Sequence, residues 1–159
     1  MRLSERFEKE EVDYNEWCKN DILTAEERKA QRERIWEYPP LISVWFRLQT
    51  PEVFLRQMIE SVTAQTYPHW QLCIADGSGD TAETKRIVNS YLSDKRIKYK
   101  ILAENLGIAD NTNAAMELAD GDYIALFDHD DLLSENASMK WRIGSAKQGR
   151  RLFTQMRIR

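Results

Sequence analysis

Residues 121–133 read GDYIALFDHDDLL, and this stretch decides the fold. A glycine and an aspartate form a turn, five apolar residues from Tyr123 to Phe127 follow, and four polar residues come directly after them. An apolar run of this length, bounded by turn residues, predicts a fully buried β-strand. Open α/β sheets bind their ligands at the carboxyl ends of the strands. The stretch therefore predicts a buried strand that carries acidic side chains to a ligand-binding edge.

The acidic side chains of this stretch suggest a metal site. Asp128, Asp130 and Asp131 lie close together in the chain, with His129 among them. Carboxylates at such short range raise one another's pKa, and a divalent cation would keep all three ionised. Oxygen-only ligands favour Mg²⁺ or Mn²⁺ over Zn²⁺. The alternative, a solvated acidic turn in which Asp131 caps the next helix, has equal weight from these residues alone.

Strands and helices alternate in the sequence that precedes this stretch. Apolar runs predict the strands and apolar residues at helical spacing predict the helices, with strands at 41–46, 71–75 and 97–102 and helices at 50–62, 80–92 and 108–119. The last helix is predicted to bury Ile108, Thr112, Ala115, Met116 and Ala119. This order predicts an α/β fold, with a mostly parallel sheet and flanking helices on both faces.

A charged segment precedes the first predicted strand. Residues 1–38 are rich in Glu, Lys and Arg, and residues 24–27 form a capping box that predicts a helix running to about Trp36. Its apolar residues are too few to form a core. We therefore expect an N-terminal helical extension that docks on the rest of the chain and ends at Pro39-Pro40.

Composition excludes several classes of protein. The 159-residue chain has a net charge of -3, which gives no reason to expect a nucleic-acid partner. Cys18 and Cys73 are far apart and form no CxxC, so both are expected to be reduced thiols. No apolar run approaches the roughly 20 residues of a membrane span, and the charged N-terminus is not a signal peptide. We expect a cytoplasmic protein, with peripheral attachment to the inner face of the cell membrane left open.

A second acidic turn, Asp76-Gly77-Ser78, follows the strand at 71–75. Parallel strands would bring it to the same edge as the acidic stretch, where helix N-termini also suit phosphate. A nucleoside diphosphate with its cation fits such an edge, with Asp76 accepting hydrogen bonds from a base or ribose. The alternative for these residues is an ordinary turn. The chain has neither GxGxxG nor a P-loop, so it predicts no dinucleotide or P-loop site.

Several segments, in this order along the chain, resemble the family 2 glycosyltransferases, which are enzymes of the GT-A (Rossmann-like) fold that use nucleotide-diphosphate sugars. The resemblance covers about residues 40–138. The segments that carry it are 51–62, Gln65-Thr66-Tyr67, 76–78, 104–108 and 121–131.

The resemblance implies roles for particular residues. Asp76 would bind the nucleobase, and Asn113 with its loop would line the donor pocket. Asp128 and Asp130, helped by Asp131, would form the DxD motif that holds ribose and a Mn²⁺ or Mg²⁺ ion on the diphosphate. The implied partners are a UDP- or dTDP-sugar donor and a glycan or lipid-linked acceptor, in the synthesis of cell-envelope polysaccharide.

Two departures from the family pattern lie near the expected site. Ala75 stands where the family usually has a first aspartate before Asp76. Residues 45–49 read WFRLQ in place of an apolar strand and polar turn, and the family's Val-Val-Pro codons read one base later give Trp-Phe-Arg. We interpret this as a short frameshifted patch, which would put Arg47 near the donor pocket.

A third departure concerns the end of the chain. The resemblance fades after residue 138, and residues 154–159 match an out-of-frame reading of a family segment that follows the DxD motif. We therefore expect three parts: the extension 1–38, the donor-binding half of a GT-A domain at 39–138, and a basic out-of-frame tail at 139–159. The general base is expected in a later part of the domain, so the chain should be weakly active or inactive.

Two other functions fit parts of the pattern. A sugar nucleotidyltransferase would need a Gly-rich basic loop after the first strand, and residues 45–50 are not one. A non-catalytic binding module, or a non-functional fragment, would need no further residues. Binding of UDP with Mn²⁺, and its loss on Asp130→Ala, would separate these from a glycosyltransferase.

Overall fold

The computed structural model describes residues 22–48, 54–79, 82–127 and 131–148. Within them, helices and strands alternate after a first helix. The elements are α1 (Ala25–Arg32), β1 (Ile42–Leu48), α2 (Leu55–Thr63), β2 (Trp70–Asp76), α3 (Ala82–Asn89), β3 (Ile97–Ile101), α4 (Gly107–Met116), β4 (Tyr123–Leu126) and α5 (Ala137–Gln148).

The four strands form one parallel sheet in the order β3-β2-β1-β4. β1 and β2 pair along their whole length, from Ile42 opposite Trp70 to Leu48 opposite Asp76. The predicted α/β fold with a parallel sheet is confirmed. No helix in the described part of the chain has the length and apolarity to cross a bilayer.

Helices cover both faces of the sheet, as predicted. One face packs apolar residues of β1 and β2 against α2, α3 and α5, while Trp45, Cys73 and Ala75 on the other face pack against Ala114 and Ala115 of α4. The chain moves outward from β1 to β2 to β3 and then returns across the sheet to β4. A right-handed crossover in the reverse direction must use the opposite face, which explains the position of α4.

The strand order reverses between β1 and β4, which makes this the topological switch point of the sheet. At such a switch point the loops leaving neighbouring strands diverge, and the ligand sites of open α/β sheets lie there. The residues that follow these two strands, 49–53 and 128–130, lie outside the described residues. The predicted helix start at Thr50-Pro51 and the predicted cap at Asp80 also lie outside them.

The prediction of a fully buried strand at 123–127 was wrong. β4 is the edge strand of the sheet in the described residues, and Leu126 is 37% exposed whereas Ala125 and Phe127 are buried. The apolar run alone could not separate a central strand from an edge strand, because strand order is set by contacts distant in sequence.

The predicted buried face of α4 was also wrong in part. Ile108 is 63% exposed and Met116 is 40% exposed, and the helix instead buries Asn111, Ala114 and Ala115. The inner face contains a polar residue, because Asn111 hydrogen-bonds the loop that starts the helix. Hydrophobic spacing could not identify a face of this kind.

Helix α1 begins at the predicted capping box but ends at Arg32 rather than near Trp36. The chain leaves the helix so that Trp36 can pack edge-on against the buried ring of Tyr67. Polar contacts, not an apolar face, dock α1: Arg28 binds Glu135, and the Thr66 hydroxyl donates to the Gln31 side chain over 2.6 Å. No residue of α1 is buried.

Gly121 allows the turn before β4 to lie very close to the start of β1. A Cβ at this position would lie 2.5 Å from the Ser43 hydroxyl oxygen and 2.6 Å from the Leu41 carbonyl oxygen. The Gly121 N–H also donates to the Ser43 hydroxyl, and the neighbouring Asp122 carboxylate accepts from the Leu41 N–H. The turn before β4 is therefore locked to the start of β1.

Replacing Gly121 with alanine should lower the free energy of unfolding by about 1–3 kcal/mol, the usual cost of overpacking. Urea unfolding followed by circular dichroism measures it. Gly144→Ala in α5 is the matched control, because nothing lies within 4 Å of its added methyl. It should be neutral or stabilise the helix by up to about 1 kcal/mol. Equal effects of the two substitutions would contradict the close approach.

Candidate functional site

Asp76 lies at the carboxyl end of β2, where its side chain is 2% exposed. Its carboxylate accepts hydrogen bonds from the Ser78 N–H at 3.0 Å, the Ser78 hydroxyl at 2.6 Å and the Tyr99 hydroxyl at 2.5 Å. A carboxylate can accept about four hydrogen bonds, so Asp76 can accept about one more. The turn predicted after β2 is therefore an ordered structure built around Asp76, with capacity for one further hydrogen bond.

The start of α4 lies against this turn. The Asn111 amide nitrogen would come within 2.8 Å of a Cβ at Gly77, so any larger residue at this position would force the Asn111 side chain to move. The Asn111 carboxamide accepts from the Leu106 N–H and donates to Asn105, which in turn accepts from the Gly107 N–H. Gly107 adopts a φ of 85°, a left-handed conformation that favours glycine. The segment 104–108 therefore joins α4 to the edge that carries Asp76.

Asn113 lies on the outer side of α4 and is exposed. It borders a groove of about 490 Å³ between the end of β3 and α4, together with Ile101, Leu102, Glu104 and Glu117. Asn111, two residues earlier, is the asparagine that reaches the turn after β2. The role of Asn113 in the donor pocket stays a prediction.

The acidic stretch is only partly described. Asp128 and Asp130 lie outside the described residues, and Asp131 is buried at 6% exposure. The next helix begins only at Ala137, so the alternative in which Asp131 is its N-cap is wrong. Since β2 and β4 are parallel members of one sheet, Asp76 and the acidic stretch leave it at the same edge, with β1 between them.

The patch at 45–47, which departs from the family pattern, is accommodated within the sheet. Trp45 and Phe46 are buried, and β1 stays in register with β2 through Arg47, whose backbone lies opposite Ala75. The Arg47 side chain lies outside the described part. The Trp45 indole N–H has no partner among the described residues, and a buried unpaired donor costs about 1–3 kcal/mol. Ala75 is buried against the α4 face.

Cys73 lies on the same buried face. Burial is the main cause that raises the pKa of its thiol to about 11. The thiol is therefore protonated at neutral pH and acts as a small apolar side chain. Cys18 lies outside the described residues.

Gln65 is a residue whose role the sequence did not reveal. Its buried carboxamide donates to the Ser61 and Ser134 carbonyl oxygens and accepts from the Ser138 N–H and hydroxyl, at 2.7 to 3.0 Å. The three bonds to Ser134 and Ser138 hold the segment after the acidic stretch, and the bond to Ser61 ties Gln65 to α2. The only sequence signal was the Gln65-Thr66-Tyr67 segment itself, because its partners lie 69 and 73 residues away.

The described residues contain no group of three side chains suited to a metal. The three aspartates of the acidic stretch offer only carboxylate oxygens as ligands, and these fit a hard cation such as Mn²⁺ or Mg²⁺. The burial of Asp131 at the carboxyl edge of the sheet is compatible with that set. The ligand roles of Asp128, Asp130 and Asp131 stay predictions.

Comparisons with known proteins agree with this architecture. Among curated relatives, the putative teichuronic acid biosynthesis glycosyltransferase TuaG of Bacillus subtilis is 36% identical over 95 residues, which cover 59% of this chain and 37% of TuaG. The chondroitin synthase of Escherichia coli is 32% identical over 62% of this chain and 14% of its own length. Across the curated relatives, the chain spans between 12% and 39% of their length.

Solved structures share the fold. S. aureus TarS 1-349 in complex with UDP-GlcNAc superposes with a TM-score of 0.63 at 20% identity, over 69% of this chain and 32% of that one. The Pyrobaculum calidifontis mannosyltransferase PcManGT, in complex with GDP-Man and Mn²⁺, gives a TM-score of 0.52 at 19% identity, over 66% and 33%. The model of the family described as Glycosyl transferase family 2 matches residues 43–147. The chain therefore belongs to glycosyl transferase family 2.

Proposed function

We propose that this chain binds the donor of a metal-dependent glycosyltransferase, a nucleotide-diphosphate sugar such as a UDP- or dTDP-sugar. The observation that carries the proposal is the buried Asp76 at the carboxyl edge of a parallel sheet in which β4 leads directly into the acidic stretch. Family membership and the sugar nucleotides bound by TarS and PcManGT support it.

The proposed division of roles follows the chemistry of each side chain. Asp128 and Asp130, with Asp131 beside them, would hold Mn²⁺ or Mg²⁺, which when bound neutralises charge on the departing diphosphate. Asp76 would accept a hydrogen bond from the nucleobase with its remaining acceptor position. Asn113 would line the donor side of the site. Each carboxylate acts here by binding and orienting, not by proton transfer.

The proposed acceptor is a glycan or lipid-linked chain in cell-envelope polysaccharide synthesis. The names of TuaG and the chondroitin synthase support a polysaccharide product. A cytoplasmic location at or near the inner face of the cell membrane suits donors that are intracellular metabolites. None of the residues assigned here acts as a general base toward the acceptor hydroxyl, so the proposal concerns binding of the donor.

Calorimetric titration of the full chain with UDP in the presence of Mn²⁺ tests the proposal. Binding should be observed, EDTA should abolish it, and Asp130→Ala should weaken it by more than about tenfold, the lower bound for loss of an outer partner of a metal. Glu26→Ala, on the exposed side of α1, removes one negative charge away from the sheet edge and should have no effect. Absence of binding, or binding indifferent to EDTA, would favour a non-catalytic module or fragment instead.

A further inference from the structure

The segment that follows the acidic stretch is fastened to other parts of the chain. α2 and the loop after it hold three of its backbone groups: the Leu133 N–H donates to Ser61, the Ser134 carbonyl accepts from Gln65, and the Glu135 carbonyl accepts from the Thr66 N–H. Leu133 itself is buried in the main core. Residues 131–136 are therefore fixed from outside, rather than by secondary structure of their own.

A fourth anchor comes from α1. The Arg28 guanidinium donates to both carboxylate oxygens of Glu135, at 2.6 and 2.7 Å, and also to the Leu23 carbonyl at 3.3 Å. The two side chains are 34% and 25% exposed, so the pair is partly shielded from water. The hydrogen bonds from Arg28 are the main cause that lowers the pKa of Glu135. Planar two-point pairing of this kind fixes orientation as well as distance.

The other end of the acidic stretch is fixed by the sheet. Phe127 is buried, and its N–H donates to the Trp45 carbonyl at 3.3 Å. Only residues 128–130 separate Phe127 from Asp131. The described anchors therefore lie on both sides of residues 128–130, at Phe127 in the sheet and in the segment 131–136.

We propose that Arg28 is a positioning residue for Asp131, the last carboxylate of the acidic stretch. By binding Glu135 it holds the segment 131–136, and with it the buried side chain of Asp131. α1 lies before residues 43–147, so the Arg28–Glu135 pair joins those residues to a helix outside the range that the family model matches. The consequence for ligand binding rests on the proposed function, whereas the anchoring itself does not.

Arg28→Met tests the proposal in the full chain, with Arg86→Met as the matched control. Arg86 binds Glu83 with the same two-point geometry, at 2.8 and 2.6 Å, but both residues lie on the exposed side of α3. Arg28→Met should speed hydrogen exchange of the amides at 131–138 by about tenfold, as expected for the loss of a charged hydrogen-bonded pair. It should also weaken binding of UDP with Mn²⁺ by about tenfold, the lower end for loss of a supporting partner of a metal site. Arg86→Met should leave both unchanged, and exchange in β2 should be unaffected by either.

A double-mutant cycle distinguishes positioning from a general loss of stability. If Arg28 acts through Glu135, then Glu135→Gln should reproduce the effect and the double substitution should add nothing to it. Unchanged exchange at 131–138 in Arg28→Met overturns the anchoring. Faster exchange with unchanged affinity for UDP and Mn²⁺ overturns the positioning role. Failure of the unsubstituted chain to bind UDP with Mn²⁺ overturns the proposed function instead, and the exchange result still decides the anchoring.

Discussion

Replacing Asp76 with asparagine should weaken binding of UDP in the presence of Mn²⁺ by about 10–100-fold, since a hydrogen bond to a charged group contributes roughly 1.5–3 kcal/mol. The substitution keeps the size of the side chain but removes the charge and converts one acceptor into a donor. That donor would face either the Tyr99 hydroxyl or the Ser78 N–H and hydroxyl, all of which now donate to Asp76. Calorimetric titration measures the change.

Tyr99→Phe is the control that separates ligand contact from support of the turn. It removes the hydrogen bond of 2.5 Å to Asp76 and leaves the carboxylate and its two bonds from Ser78 in place. If Asp76 contacts the ligand, Tyr99→Phe should lower affinity far less than Asp76→Asn, or raise it by freeing an acceptor position. Equal losses in both variants would mean that Asp76 acts only by ordering the turn.

The main features of the fold could be predicted from the sequence because they depend on local patterns. Each predicted strand lies within two residues of the observed one, since short apolar runs bounded by turn residues end where the chain must leave the sheet. The capping box at Thr24 fixed the start of α1, because both of its hydrogen bonds form between residues three apart. The alternation of elements then required a parallel sheet with helices on both faces.

The features that could not be predicted depend on contacts distant in sequence. The edge position of β4 follows from the return of the chain across β1, which no local pattern specifies. The inner face of α4 contains Asn111 because the loop before the helix needs hydrogen-bond partners. A prediction from hydrophobic spacing places only apolar residues on the inner face of a helix, so it missed Asn111. At the candidate site, the edge that carries Asp76 was predictable from strand direction, but its partner Tyr99 was not.

The role of Gln65 also depends on contacts distant in sequence. Of the substitutions considered, its replacement should have the largest effect on stability. Gln65→Leu introduces an apolar side chain of similar size and leaves the Ser138 N–H and hydroxyl without their acceptor in a buried site. Each buried unsatisfied group costs about 1–3 kcal/mol, so the free energy of unfolding should fall by about 3–5 kcal/mol. Urea unfolding followed by tryptophan fluorescence measures the loss.

Two further substitutions make this result specific to the hydrogen bonds. Gln57→Leu, on the exposed side of α2, should change stability by no more than about 0.5 kcal/mol, as surface substitutions usually do. Gln65→Glu should destabilise most at neutral pH, because a carboxylate would face the Ser61 and Ser134 carbonyl oxygens. Those oxygens and burial raise the pKa of the introduced carboxyl in the folded state, so stability should recover as the pH falls toward its unfolded-state value, about 4.3. A pH-independent loss in Gln65→Glu, or a loss in Gln65→Leu no larger than in Gln57→Leu, would show that the carboxamide does not fasten the segment after the acidic stretch.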